Sequence, residues 1–191
     1  MSKAVMLSIQ PKWCAKIASG EKTVEVRKTS PKIATPFKCY IYCTLSGSNE
    51  FFRDTLNGDV AAWNRGKWGE RKGMVIGEFV CDKIKPETPT CLIVKEDRER
   101  ATEGSCLTAQ EIRDYLRGNQ VSYDLYTLPG FYCWHISDLK IYDRPKALSE
   151  FKQFYRKCKY SDLGLAIPEC WRCHGCQMER PPQSWCYVEG V

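Results

Sequence analysis

The chain has 191 residues, 43% hydrophobic and 27% charged, with 29 Lys and Arg against 23 Asp and Glu for a formal net charge of +6. That length carries one domain with a real core plus a small appendage, and the composition excludes a largely disordered chain. No window approaches about 18 consecutive apolar residues, and Met1–Ile9 lacks a secretory leader's long apolar stretch and cleavage site. A cytoplasmic protein with no membrane segment is therefore expected, and the mild basic excess suits an anionic partner such as RNA or a nucleotide.

In chain order, Val5–Ile9 reads as a short apolar strand. Pro11 suits the first turn of a helix, Trp13 and Ile17 continue the helical pattern to Ser19, and Gly20 stands where a C-terminal glycine ends it. Thr23–Arg27 alternates Val24 and Val26 with Thr23, Glu25 and Arg27, the period of a strand with one apolar and one polar face. Phe37–Leu45 is a strong strand. Residues 47–72 are polar and aromatic, with a short helix near Phe51–Leu56, and read as an insert. There Trp63 and Trp68 interleave with Arg65, Lys67, Arg71 and Lys72, as in an RNA-contacting loop or a loop covering the core. Met74–Ile84 is a further strand, Cys91–Val94 a short one, and Lys95–Arg100 a charged loop or helix end. Thr108 and Glu111 form a capping box that starts a helix Ala109–Arg117, which runs to Gly118. Phe131–Tyr142 reads as a strand pair or one long bent strand, and Ser149–Tyr155 as a short helix. Five or six strands mixed with two or three helices predict an α+β or β-barrel domain.

The segment Gly20–Arg27 concentrates charge. Glu25 and Arg27 share a strand face with Thr23, and Lys22 sits at the turn, so two cations flank one carboxylate beside a glycine. Arg27 suits a phosphate or carboxylate, and Glu25 suits the exocyclic amine of a nucleobase. The same residues also suit a solvated strand face with a surface salt bridge. His135, one of two histidines, shares its strand face with Ser137 and either has satisfied partners there or faces Lys22 across a cleft. Lys22, Glu25 and His135 are the candidate catalytic groups if the chain is an enzyme. Trp13 and Trp134 are core residues or a stacking platform for a base.

Gly20-x-Lys22-x-x-Glu25-x-Arg27 (GEKTVEVR) resembles, position for position, the G-x-K-x-x-E-x-R motif of the ASCH family. LSIQPKW resembles the way ASCH domains begin, and WHISDLKIYDRP resembles the closing strand of phage and prophage members. The resemblance covers roughly residues 4–150. It implies a PUA-like fold over residues 1–150, a small mixed β-barrel flanked by helices. It also implies a cleft lined by Lys22, Glu25 and Arg27, with Ser8, Lys12, Trp13, Gly20, Thr44, Trp134, His135 and Ser137 as further ligand-binding residues. The implied function is binding of RNA or of a modified nucleobase or nucleotide. Some small bacterial members hydrolyse N4-acetylcytidine; they retain a lysine matching Lys22 and carry a threonine nucleophile where this chain has Glu25. Thr23 and Thr44 are the nearest hydroxyls to that role. A ribonuclease, and a phage-encoded module that engages a host protein, are the other expectations.

Five of the twelve cysteines fall in the last 34 residues. Cys170-x2-Cys173-x2-Cys176 makes overlapping C-x-x-C knuckles, with Cys158 before and Cys186 after. Zinc takes four thiolates in a tetrahedron, and a short polar segment without a core gains most from such a staple. Cys158, Cys173, Cys176 and Cys186 are the expected ligands of a structural zinc, with Cys170 as the alternate; an iron–sulfur cluster takes the same donors. Residues 151–191 are thus expected to be a zinc-stapled extension packed on the barrel, ending in a strand around Trp185–Val188.

Overall fold

The computed structural model describes residues 2–45, 71–120, 124–153 and 177–190. The helix expected near Phe51–Leu56, most of the insert, and Cys158, Cys170, Cys173 and Cys176 lie outside the described residues.

The described chain divides into two compact units that interleave along the sequence. One takes in the described residues of 1–15, 37–79 and 139–191, the other residues 16–36 and the described residues of 80–138. The first is built on a five-stranded sheet. Its strands are β1 (Lys3–Ile9), β3 (Phe37–Cys43), β4 (Val75–Cys81), β7 (Ser137–Lys146) and β8 (Trp185–Glu189), in the order β7-β4-β3-β1-β8. β1 is buried from Ala4 to Ile9, the near-continuous apolar run of a strand covered on both faces. It pairs in parallel with β3, Val5 against Cys39 through Ile9 against Cys43. Antiparallel pairing with β8, Lys3 against Glu189 through Leu7 against Trp185, draws the end of the chain into the same sheet. One face packs Ala4, Met6, Tyr40, Tyr42, Val75 and Val188 with Tyr142, Phe151 and Met178. The Tyr142 hydroxyl donates to Glu78 at 2.6 Å.

The second unit holds a three-stranded antiparallel sheet of β2 (Val24–Arg27), β5 (Ile84–Glu87) and β6 (Phe131–His135), with β6 in the middle. Val26 and Phe131 pack with Ala101 of α2 (Lys95–Thr102) and with Ile112 and Leu116 of α3 (Ala109–Arg117). α3 exists where the sequence places it because both halves of its capping box form. Thr108 Oγ1 accepts from the Glu111 N–H at 3.1 Å, and Glu111 Oε2 accepts from the Thr108 N–H at 2.8 Å.

The architecture is α+β, as expected, but the described strands form two separate sheets and no closed barrel. Phe131–Tyr142 does not run as one strand: β6 and β7 part at Ile136, next to the left-handed Asp138 (φ 47°), and join different sheets. Met74–Ile84 likewise separates into β4 and the start of β5. Cys91–Val94 is not a strand. Pro89–Leu92 is a 3₁₀ turn, because Pro89 fixes its own φ and removes a ladder donor while Cys91 and Leu92 still bury in the apolar cluster. Lys95–Arg100 falls within the full helix α2, and the expected helix at Ser149 is, in its described part, a 3₁₀ turn over Leu148–Glu150. No described helix is long and apolar enough to cross a membrane.

The capping box gives a direct check. Thr108→Ala is expected to lower the unfolding free energy by about 1 kcal/mol with α3 intact by circular dichroism; no change would mean the cap is idle.

Candidate functional site

The charged segment starts at a left-handed turn, a conformation that glycine adopts most readily. Gly20 (φ +81°) closes α1 (Pro11–Ala18), its N–H donating to Ile17 O at 3.0 Å, and the Lys22 N–H then donates to Lys16 O at 2.9 Å. On the next stretch the Thr23 and Val24 N–H groups both donate to Gly104 O, at 2.8 and 2.9 Å. Gly104 is also left-handed (φ +66°), and a Cβ there would run into Thr23 Oγ1, so the loop reaches β2 only through glycine.

This loop positions the Lys22 side chain. Its Nζ donates to Val24 O at 2.9 Å and to Ser105 O at 2.6 Å, and meets Glu25 Oε2 at 3.3 Å. The ammonium's three N–H groups are thereby all matched. Glu25 Oε1 in turn lies 3.0 Å from Arg27 Nη2. The side chains of Lys22, Glu25 and Arg27 are 1%, 9% and 9% exposed, so the solvated salt bridge considered from sequence is a buried cation–carboxylate–cation cluster. Burial also brings up Tyr115 on α3. Its hydroxyl is pushed above the usual phenol range by burial, an effect that the Arg27 charge opposes and the Glu25 charge adds to. Lys28 Nζ lies 5.1 Å over the Tyr115 ring and donates to Leu116 O at 3.2 Å.

Strand pairing separates the other expected site residues. In the antiparallel ladder Val24 opposes His135, Glu25 opposes Trp134, Val26 opposes Cys133, and Arg27 opposes Tyr132. Opposed residues share a face and successive residues alternate. Glu25, Arg27 and Trp134 therefore lie on one face of the three-stranded sheet, and Val24, Val26, Cys133 and His135 on the other. Thus Glu25 and His135 do not meet on one face. Trp134 is fully buried, so its ring is covered here. His135 lines a pocket of about 360 Å³ and places Nδ1 at 2.6 Å from Asp82 Oδ1. Ser137 Oγ donates to Val80 O at 2.9 Å.

Ser8, Lys12, Trp13 and Thr44 belong to the other compact unit. Ser8 Oγ donates to Pro182 O at 2.6 Å, Lys12 Nζ lies 4.2 Å over the Trp13 ring, and the Thr44 N–H donates to Ile9 O. Sequence reasoning missed Ser105, Tyr115 and Asp82. Each acts through a partner more than 50 positions away or through helix packing, and no local pattern marks them.

Of the expected zinc ligands only Cys186 is described. It lies on β8, opposes Met6, packs against the apolar cluster, and burial pushes its thiol up to about 12. Among the described residues no group of three His, Cys, Asp or Glu is placed to hold a metal.

No family model matches the chain, and no curated protein matches it. Solved structures do. The crystal structure of the ASCH protein from Zymomonas mobilis superposes with a TM-score of 0.55 at 19% identity, over 97% of this chain and 87% of that one. A tyrosine-to-phenylalanine variant of it gives 0.56 at 20% identity, over 98% and 91%. The chain has the ASCH fold. In this ASCH fold the GEKTVEVR segment occupies the turn and strand β2 that carry the buried charge cluster.

The thiols on the described strands and turns are testable. Burial raises Cys81 to about 12 and Cys91 and Cys133 to about 11. At pH 8 a thiol at about 11 is thiolate roughly one part in a thousand. Iodoacetamide at pH 8, followed by peptide mapping, is expected to label the partly exposed Cys106 well before Cys81, Cys91, Cys133 or Cys186. Equal labelling would contradict these environments.

Proposed function

We propose that this ASCH-fold protein binds RNA or a nucleobase-bearing ligand at the Lys22–Glu25–Arg27 cluster. The observation that carries the reading is the Glu25 carboxylate, held at 3.3 Å from Lys22 and 3.0 Å from Arg27 and largely out of water. A desolvated, immobile carboxylate is a strong acceptor for the amine edge of a base, and Arg27 beside it suits a carbonyl or phosphate oxygen. Tyr115 on α3, 38% exposed, supplies a ring on which a base stacks.

Binding is favoured over hydrolysis because a carboxylate occupies position 25 and the nearest hydroxyl, on Thr23, faces Gly104. The Lys22 ammonium, bound to two carbonyls and a carboxylate, is spent on holding the loop. A structural zinc on the tail cysteines is part of the proposal, supported by the spacing Cys170-x2-Cys173-x2-Cys176.

Titration with cytidine, N4-acetylcytidine and short single-stranded RNA, each followed by chromatography for products, tests the reading. Saturable binding without turnover is expected, weakened at least about tenfold by Tyr115→Ala through lost stacking. Turnover that disappears in Lys22→Ala would make the protein an enzyme and overturn the binding reading. Absence of binding to all three would overturn it as well.

A further inference from the structure

The Val24 face of the three-stranded sheet carries a pocket. We propose that it is a binding site for a small phosphorylated ligand of mononucleotide size, separate from the Glu25 cluster. Its volume, about 360 Å³, falls in the range of small-ligand sites. Its floor is Val24 of β2, Cys133 and His135 of β6, and Lys85 and Glu87 of β5; Ala101, Glu103 and Gly104 close it from the end of α2 and the loop that follows.

Charge is arranged across the strands. Glu87 is engaged by Lys85 Nζ at 2.6 Å and by Arg100 Nη1 at 3.4 Å, and Arg100 also holds Asp97 at 3.1 Å. Glu87 is thus neutralised in place and fixes both cations at the β5 side. Lys83 lies at the same side, its carbonyl accepting from the His135 N–H at 2.9 Å. Among the described residues the Lys83 ammonium has no ion pair. His135 adds a second polar group there. Asp82 at 2.6 Å takes its Nδ1–H, which orients the ring; in the imidazolium form the Nε2–H is then the donor left for an anion. Lys83 and His135 together suit a phosphate group.

The other end differs. Glu103 adjoins Gly104, whose carbonyl ties the loop to Thr23 and Val24 on β2, and among the described residues Glu103 also has no ion pair. A phosphate at one end and a hydrogen-bond donor, an amine or sugar hydroxyl, at the other describe a mononucleotide-sized ligand.

The test follows the His135 imidazole by NMR, assigned with His135→Gln, while the intact protein is titrated with inorganic phosphate, cytidine 5′-monophosphate, cytidine and a single-stranded oligoribonucleotide lacking terminal phosphate. Phosphate and the monophosphate are expected to shift the His135 signals, and Lys83→Glu to weaken monophosphate binding at least about tenfold. Cytidine, without phosphate, leaves His135 unmoved, so the nucleobase reading of the Glu25 cluster and this proposal fail separately. Lack of any shift, binding indifferent to Lys83→Glu, or a response to the oligonucleotide alone would overturn the proposal.

Discussion

One carboxylate between two cations organises the second compact unit. Glu25 sits between Lys22 and Arg27 with almost no solvent, and an ion taken that far out of water costs several kcal/mol unless every charge is matched. The matching is supplied by chain geometry. Gly20 turns the backbone so that Lys22 enters the interior, and Gly104 lets the 102–106 loop come close enough for the Ser105 carbonyl to receive the ammonium. Removing any of these groups leaves a buried charge uncompensated. The cluster therefore constrains the α1–β2 turn, β2 itself and the loop between α2 and α3 at once.

The same strand divides the chemistry. Because β2 has a period of two, its charged residues and its valines serve opposite faces. The Glu25 face holds a rigid acceptor between Lys22 and Arg27. The Val24 face looks into the pocket with His135, Lys83 and Glu103. A three-stranded sheet with one narrow central strand can present two polar sites in this way without bringing their charges together, since the backbone of β6 lies between them. His135 and Glu25, which from sequence alone look like partners, are separated by that sheet.

How much of this was legible in the chain itself depends on how local each signal is. α3 was readable to the residue because its capping box is a four-residue pattern, and the α1–Gly20–β2 unit was readable because helix period, glycine and strand period follow one another directly. The GEKTVEVR spacing pointed to the ASCH fold that the solved structures share. The division of Phe131–Tyr142 between two sheets was not readable, because it depends on which neighbours each half finds. Pro89 argues against a strand at Cys91, but the short apolar run that follows reads as one from periodicity alone. In the site, Lys22, Glu25 and Arg27 were found together, but their burial was not. Lys22 is drawn inside by the Ser105 carbonyl, 83 positions away, which no local pattern marks. Asp82 was missed for the same reason: its value lies wholly in its contact with His135.

The central claim is that Lys22 and Glu25 stabilise the protein as one buried unit. A double-mutant cycle on equilibrium unfolding, with Lys22→Met, Glu25→Gln and the double variant, measures it directly. A coupling free energy of at least about 1.5 kcal/mol is expected for charges in contact out of water. Additivity of the two single substitutions to within about 0.5 kcal/mol would show that the pair is not a unit and would contradict the account.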